Sequence, residues 1–360
     1  MKTVISSLIL FIAVACSQES GQTTADFEEI PAFEPQPIRV IESVGEEFFS
    51  HLGYQTAVTV NGDILLPDRQ RMRIFKIDQE GNLRGQLSPG QGPGEIGDAY
   101  EIEEGADGKF YVYDQDNDKV LIMDQNGDFE DEFIPARFER GQMARIFRFR
   151  DGIVSEMTSF RYLGDPERSR QIYLYEYDIP GEAFMNERVY PAQPYAILYI
   201  DGAVRGAGLV PYSDGTLLEY VPEQNRLFAF NTDGNEIALL NVNLDTTSTI
   251  NVDLPVQKFS KAELDSLEAD NIPEQWDTME ELINEYKTKA QKMIVNGDYI
   301  WLKSSFDREN ETWLVLNMGG EILRKVLFPK GSMVTHISDK HIGVRLDAAT
   351  FALYEPLILE

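Results

Sequence analysis

Leu87-Ser88-Pro89-Gly90-Gln91-Gly92-Pro93-Gly94-Glu95 joins two segments that read as the same unit. Before it run Asn61-Gly62-Asp63-Ile64-Leu65-Leu66, then Met72-Arg73-Ile74-Phe75-Lys76-Ile77-Asp78, then Gly81. After it run Asp107-Gly108-Lys109-Phe110-Tyr111-Val112, then Lys119-Val120-Leu121-Ile122-Met123-Asp124, then Gly127. In both, the first and last glycines stand 19 residues apart, and the interval returns from Gly215 to Gly234. A fixed internal period defines a repeat architecture before any residue chemistry is considered.

The turn after the first strand of each unit serves as a marker. Gly62, Gly108, Gly152, Gly215, Gly297 and Lys340 are spaced by 46, 44, 63, 82 and 43 residues. Three spacings agree and two carry insertions, which gives six units. Unit two shows four short strand candidates at Tyr100–Glu103, Lys109–Tyr113, Val120–Asp124 and Phe129–Ile134. Four strands per unit, six times over, is the content of an all-β, six-bladed β-propeller. The last unit offers three strands, Met333–Ile337, His341–Leu346 and Phe351–Leu357. Pro37-Ile38-Arg39-Val40-Ile41 is an orphan strand ahead of unit one. Pairing it with the last unit closes the ring and hides an edge.

One insertion extends unit three from Phe160 to Arg170. A second, about 246–291, falls between units four and five. It holds the capping-box pattern Ser260-Lys261-Ala262-Glu263 and a further helix start at Asp277 or Thr278. Met279, Leu282, Ile283 and Tyr286 then form an apolar stripe expected to pack on the propeller itself. In a propeller the inter-blade loops and the loops between second and third strands share one face. Elaboration concentrated there marks that face as the candidate functional one.

The acids outnumber the bases 61 to 32, a net charge of −29. That argues against nucleic acid as a partner, since phosphate binding needs positive charge. Aromatic content of 11% suits strands rather than helix bundles. Cys16 is the single cysteine, so no intramolecular disulfide forms. Lys2, the apolar run Leu8–Ala15 and then Cys16 give a charged start, a short apolar core and a cut site. Ala13-Val14-Ala15-Cys16 resembles a bacterial lipobox. The resemblance implies a signal peptide over 1–15 and a lipidated Cys16; the polar composition that follows reads as a flexible tether over 16–36, ahead of the propeller over 37–360. The lipobox also implies a membrane partner through the lipid, at the outer membrane, facing the periplasm or the surface.

Several residues are weighed as sites. Glu95 either points into the mouth or caps a neighbouring turn. Asp114, Asp116 and Asp118 have calcium-loop spacing, but Lys119 stands where the loop needs Gly and Gln125 where it needs Glu, so an Asx turn is expected. Arg137, Arg140, Arg145, Arg148 and Arg150 gather in an acidic chain, and Arg161, Arg168 and Arg170 belong to the same unit. Guanidinium groups suit carboxylates, sulfates and phosphates. The candidate ligand site is therefore Arg145, Arg148, Arg150, Arg161, Arg168, Arg170 and Glu95, with an acidic carbohydrate or an envelope protein as partner. His51, His336 and His341 lack metal-ligand spacing, so neither a metal nor a cofactor is expected.

Gly90-Gln91-Gly92-Pro93-Gly94-Glu95, Val112 to Val120 and Asp124-Gln125-Asn126-Gly127 resemble the bacterial six-bladed propeller lipoproteins related to NHL-repeat proteins. The resemblance covers most of residues 37–360 and is sharpest in the first two units. It implies the fold more firmly than any activity, and with no metal-ligand set in the sequence the expected role is a binding or assembly module at the envelope. Related propellers include lactonases and lyases acting on sugar-derived substrates, the alternative reading.

Overall fold

The second and third strands of each unit are apolar on both faces, as Ile64-Leu65-Leu66 and Phe110-Tyr111-Val112 show. A strand buried on both sides must lie between two other layers. The outer strands, such as Phe129–Phe133 and Ala183–Pro191, are largely exposed. This pattern builds radial sheets packed face to face around an axis. In the computed structural model the described residues are 24–358, apart from Tyr100 and residues 139–140, 159–169, 181–182, 202 and 307–308.

Six blades of four antiparallel strands follow one another, and the fifth carries one extra strand. Blade 1 is Ala57–Val58, Ile64–Asp68, Arg73–Ile77 and Leu83–Leu87; blade 2 is Glu103–Glu104, Phe110–Asp114, Lys119–Met123 and Phe129–Phe133. Blade 3 is Gln142–Phe149, Gly152–Thr158, Gln171–Asp178 and Ala183–Pro191; blade 4 is Thr216–Val221, Arg226–Asn231, Glu236–Leu240 and Thr246–Asn251. Blade 5 is Ala290–Asn296, Tyr299–Ser304, Asn310–Asn317 and Ile322–Pro329. Blade 6 takes Met333–Ile337, Ile342–Arg345 and Phe351–Tyr354 from the C-terminus and Pro37–Ile41 from the N-terminus. Ile41 pairs with Phe351 and Val40 with Ala352, which closes the ring as the three-strand final unit required.

Each blade interface has its own apolar cluster. Leu65, Ile74, Phe110 and Leu121 join blades 1 and 2. Tyr113, Val120, Ile153 and Tyr175 join blades 2 and 3, and Phe147, Val154, Leu218 and Leu227 join blades 3 and 4. Phe228, Phe230, Ile300 and Leu314 join blades 4 and 5, and Trp313, Val315, Val334 and Val344 join blades 5 and 6. Leu66, Phe75, Phe351 and Leu353 join blade 6 to blade 1. Six interfaces for six blades leave no open side.

The structure corrects four sequence expectations. In blade 4, Gly215 precedes the inner strand, and the first turn is instead at Pro222–Asn225. The insertion expected from 246 begins after Asn251, because Thr246–Asn251 is blade 4's outer strand. A hairpin of Tyr195–Ile200 and Ala203–Leu209, not anticipated, stands between blades 3 and 4. Finally, the tether expected over 16–36 is structured from Thr24: a helix at Thr24–Glu29 is followed by Ala32–Phe33, which adds to blade 5 in parallel against Lys325 and Val326.

The helical insertion is Lys261–Asp270, with the Ser260–Glu263 capping box formed, and Pro273–Glu280. The second helix begins at Pro273 and ends before Leu282, so the expected stripe is split between helix and loop. It packs within the chain: Trp276 and Met279 bury against Ala196 and Val210, flanked by Leu282 and Ile283. Hairpin and helices both interrupt inter-blade connections, so both rise from one face.

Candidate functional site

Strand geometry sets which side chains reach the axis. The first strand of each blade is the innermost, and several inner strands carry a charge among apolar neighbours. Glu219 lies between buried Leu218 and Tyr220 in blade 4, and Lys292 beside buried Met293 in blade 5. Arg145 is in the inner strand of blade 3 and Glu103 in that of blade 2, with Glu101 just ahead of it. Glu219 feels the charges of Glu103 and Glu101 from blade 2, Arg145 from blade 3 and Lys292 from blade 5. The axis is the place where one side chain meets charges from so many blades.

The cations there are tied down. Arg145 Nε sits 2.7 Å from Glu156 Oε2 and 3.3 Å from Glu101 Oε2, and Nη1 sits 3.5 Å from Glu103 Oε1. Nη1 also donates to the carbonyl of Leu218 at 3.2 Å, bridging to blade 4. Burial opposes the guanidinium charge, but Glu156, Glu101 and Glu103 outweigh it and raise its pKa. Lys292 Nζ donates to the carbonyls of Tyr54 at 2.7 Å and Val334 at 3.1 Å, across to the segment ahead of blade 1 and to blade 6. Burial lowers Lys292 to about 8, with Glu101 and Glu219 pulling back.

The carboxylates are less well served. Burial pushes Glu103 up to about 7, only partly offset by Arg145. Its Oε2 accepts from Gln55 Nε2 at 3.4 Å, while Oε1 is buried without a hydrogen bond. Glu219 is half-buried, faces this cluster, and makes no hydrogen bond or ion pair among the described residues. Burial, reinforced by Glu103, pushes it up to about 8 despite Arg145 and Lys292. A titratable group shifted by burial and by specific charged neighbours marks a functional-site candidate.

The sequence-predicted arginines do not converge. Arg145 is at the axis. Arg148 lies at the far end of its strand, with Nε 3.6 Å from Asp107 Oδ2 and Nη1 donating to the carbonyl of Gly152. Arg150 donates to the carbonyl of Glu223 at 3.0 Å, and its backbone N–H to Asn225 Oδ1. Asp107, Gly152 and Glu223 lie at or beside turns after first strands, which places Arg148 and Arg150 on the face opposite the elaborated one. Arg170 is exposed beside the loop between second and third strands, and Arg137 is exposed on the crossover between blades 2 and 3. Arg140, Arg161, Arg168 and Cys16 lie outside the described residues.

Glu95 turns back on its own loop, where Oε2 accepts from Gly92 N–H at 2.8 Å. Asp114 is fully buried and accepts from the N–H groups of Gly97, Asp98, Asp116 and Asn117 and from Asn117 Nδ2. It is a hub for the inter-blade loop. Asp68 does the same in blade 1, accepting from Ser50, His51 and Arg71. His336 and His341 are buried with ring centroids 5.1 Å apart, and His336 Nδ1 is 2.5 Å from Thr56 Oγ1. Burial depresses both, His336 to about 3. Among the described residues no three His, Cys, Asp or Glu side chains converge as a metal site would require.

Sequence reasoning found Arg145 and missed Glu101, Glu103, Glu219 and Lys292. A signal existed: a lone charge in an apolar inner strand. It identifies an axial residue once the strand is known to be the innermost, which the local pattern does not reveal.

No family model matches the chain, and no curated protein matches it. Among solved structures, a DUF4221 family member from Bacteroides vulgatus is 9% identical, with 89% of this chain and 97% of that one covered and a TM-score of 0.50. A protein provisionally called exported, from Bacteroides fragilis, is 11% identical over 91% and 99% of the two chains, with a TM-score of 0.49. Virginiamycin B lyase from Staphylococcus aureus is 11% identical over 89% and 99%, with a TM-score of 0.46. At such identities the likeness concerns the fold alone, and the fold of this chain is a six-bladed β-propeller.

Proposed function

We propose that the chain is an envelope propeller, lipid-anchored through Cys16, that binds a small polar ligand at its axis. The observation that carries the binding reading is Glu219. A desolvated carboxylate with no partner costs stability, so a fold keeps one for structural reasons only when it is paired. Here the neighbouring cations are already engaged, which leaves Glu219 available to something that enters. The anchor rests on the lipobox-like run ending at the single cysteine. A lactonase or lyase reading has the shifted Glu219 in its favour as an acid or base, but in the form that routes through a divalent ion it lacks a converging ligand set among the described residues.

A thermal-shift screen of neutral, acidic and basic sugars and amines tests the site. Ligands that stabilise the wild type and not Glu219→Gln or Lys292→Met support axial binding. Stabilisation that persists unchanged in both variants places the site elsewhere. For the anchor, Cys16→Ser should release the protein from the membrane pellet, and retention after a carbonate wash would count against lipidation.

A further inference from the structure

Resting on the axis as the binding site, we infer that the ligand enters with an ammonium group, seated between Glu219 and Glu103. Four carboxylates, Glu101, Glu103, Glu156 and Glu219, meet three cations there, Arg145, Lys292 and Arg345. Each of the three cations already has acceptors within the chain. Arg145 is held by three carboxylates and a carbonyl, and Lys292 by two carbonyls. Arg345 donates to the carbonyl of Leu52 at 2.9 Å and lies 4.8 Å over the ring of Tyr54.

The acceptors are in the opposite condition. Glu219 has no partner among the described residues, and Glu103 Oε1 is buried without a hydrogen bond. Of all nearby charges, Glu103 acts most strongly on Glu219, so one donor between them relieves both. An ammonium brings three N–H donors and a positive charge. A carboxylate or sulfate would meet the like charge of Glu219 and Glu103 and compete with carbonyls and carboxylates for the cations' donors.

The charged groups around Glu219 are Glu101 and Glu103 from blade 2, Arg145 and Glu156 from blade 3, and Lys292 from blade 5. With Glu219 itself, three groups titrate in a common direction, Glu103 gaining its charge near pH 7. As pH rises through about 8, Glu219 gains its negative charge and Lys292 loses its positive one. All three changes favour a cation, so ammonium affinity rises with pH.

The test uses n-butylamine, n-butanol and butyrate, three probes of matched shape, titrated into the purified chain at low salt and followed by NMR. Butylamine has the chemistry of a lysine side chain and stays protonated from pH 6.5 to 9. Its affinity should exceed that of the other two at pH 9 and fall about tenfold by pH 6.5, as the ionised fraction of Glu219 falls. Glu219→Gln should weaken that pH dependence to the part carried by Glu103 and Lys292, and Glu219→Asp should restore it, while Glu95→Gln, remote on an inter-blade loop, should leave it intact. Butyrate binding as well as butylamine and shifting Lys292 or Arg145 resonances would keep the axial site and overturn the ammonium. Silence of the axial resonances toward all three probes would overturn both readings.

Discussion

Asp114 and Glu219 are both acidic residues in apolar strands, and their surroundings give them opposite fates. Asp114 collects five donors from two loops, so its charge is fully solvated by the chain. Asp114→Ala leaves buried N–H groups unsatisfied at roughly 1–3 kcal/mol each. With water serving the outer ones, we expect a loss of about 3 kcal/mol by urea denaturation and a smaller one for Asp114→Asn. A loss under about 1 kcal/mol would show that the loop does not depend on the carboxylate. Glu219 behaves in reverse. Its folded pKa lies above the ordinary 4.5, so the folded chain binds the proton more tightly and loses stability as pH rises from about 4.5 to about 8. Glu219→Gln should therefore match the wild type near pH 4.5 and exceed it by roughly 1–3 kcal/mol at pH 9. A gain independent of pH would mean that the site does not strain the charge. The buried His336 works against acid instead: its folded pKa is depressed, so its contribution is lost as pH falls from 6.5 toward about 3. The Asx turn at Asp114 was legible because its partners are mostly local in sequence. Glu219 was not, because its neighbours come from three other blades.

The recurrent element is the turn between the third and outer strands. In blades 1, 2 and 5, an Asp or Asn side chain accepts from the N–H four residues on: Asp78 from Asn82, Asp124 from Asp128, and Asn317 from Glu321. The residue before that donor is a glycine at positive φ, Gly81, Gly127 or Gly320, and the third strand carries a register shift beside the turn. This is a short loop with a left-handed residue and an adjoining bulge. Blade 4 builds the same turn at Asn241 and Asp245, but the left-handed position holds Leu244, at φ +65°. Asp233-Gly234, one strand earlier, supplies the 19-residue interval by coincidence of composition, which is why the sequence reading slipped by one strand there. Leu244 is 5% exposed within the cluster between blades 3 and 4. Its backbone strain is on the order of 1–2 kcal/mol, whereas removing a buried leucine costs about 2–5 kcal/mol. Leu244→Gly should thus restore the repeat's glycine and still lower stability, by about 1–3 kcal/mol in denaturant. A stabilised variant would show that the strain outweighs the packing.

At the scale of the whole molecule, stability depends on joining the ends of the chain. Blade 6 was legible as an incomplete unit with an orphan strand to fill it, a relation that needs only counting. The rest of the N-terminal strap was not, because a two-residue strand has no periodicity and Thr24–Glu29 reads as polar tether. Phe27 stacks on Phe306 with ring centroids 4.3 Å apart, and Lys325 Nζ donates to the Phe27 carbonyl at 3.0 Å. Ala32–Phe33 then joins blade 5, before Pro37–Ile41 closes blade 6. The strap therefore ties two blades, and truncations should act in steps. Removing residues 17–23 should leave the melting temperature unchanged. Extending the deletion through Glu34 removes the buried Phe27 and its strand, a loss of about 3–5 kcal/mol if they act like other buried aromatic anchors. Extending it through Val44 also removes Ile41 and Val44, 5% and 3% exposed, and bares the edge of blade 6. That variant should lose its single cooperative transition and self-associate through the open edge, as sedimentation would register. Equal melting temperatures for the first two truncations would show that closure rests on blade 6 alone, with the strap on blade 5 contributing nothing.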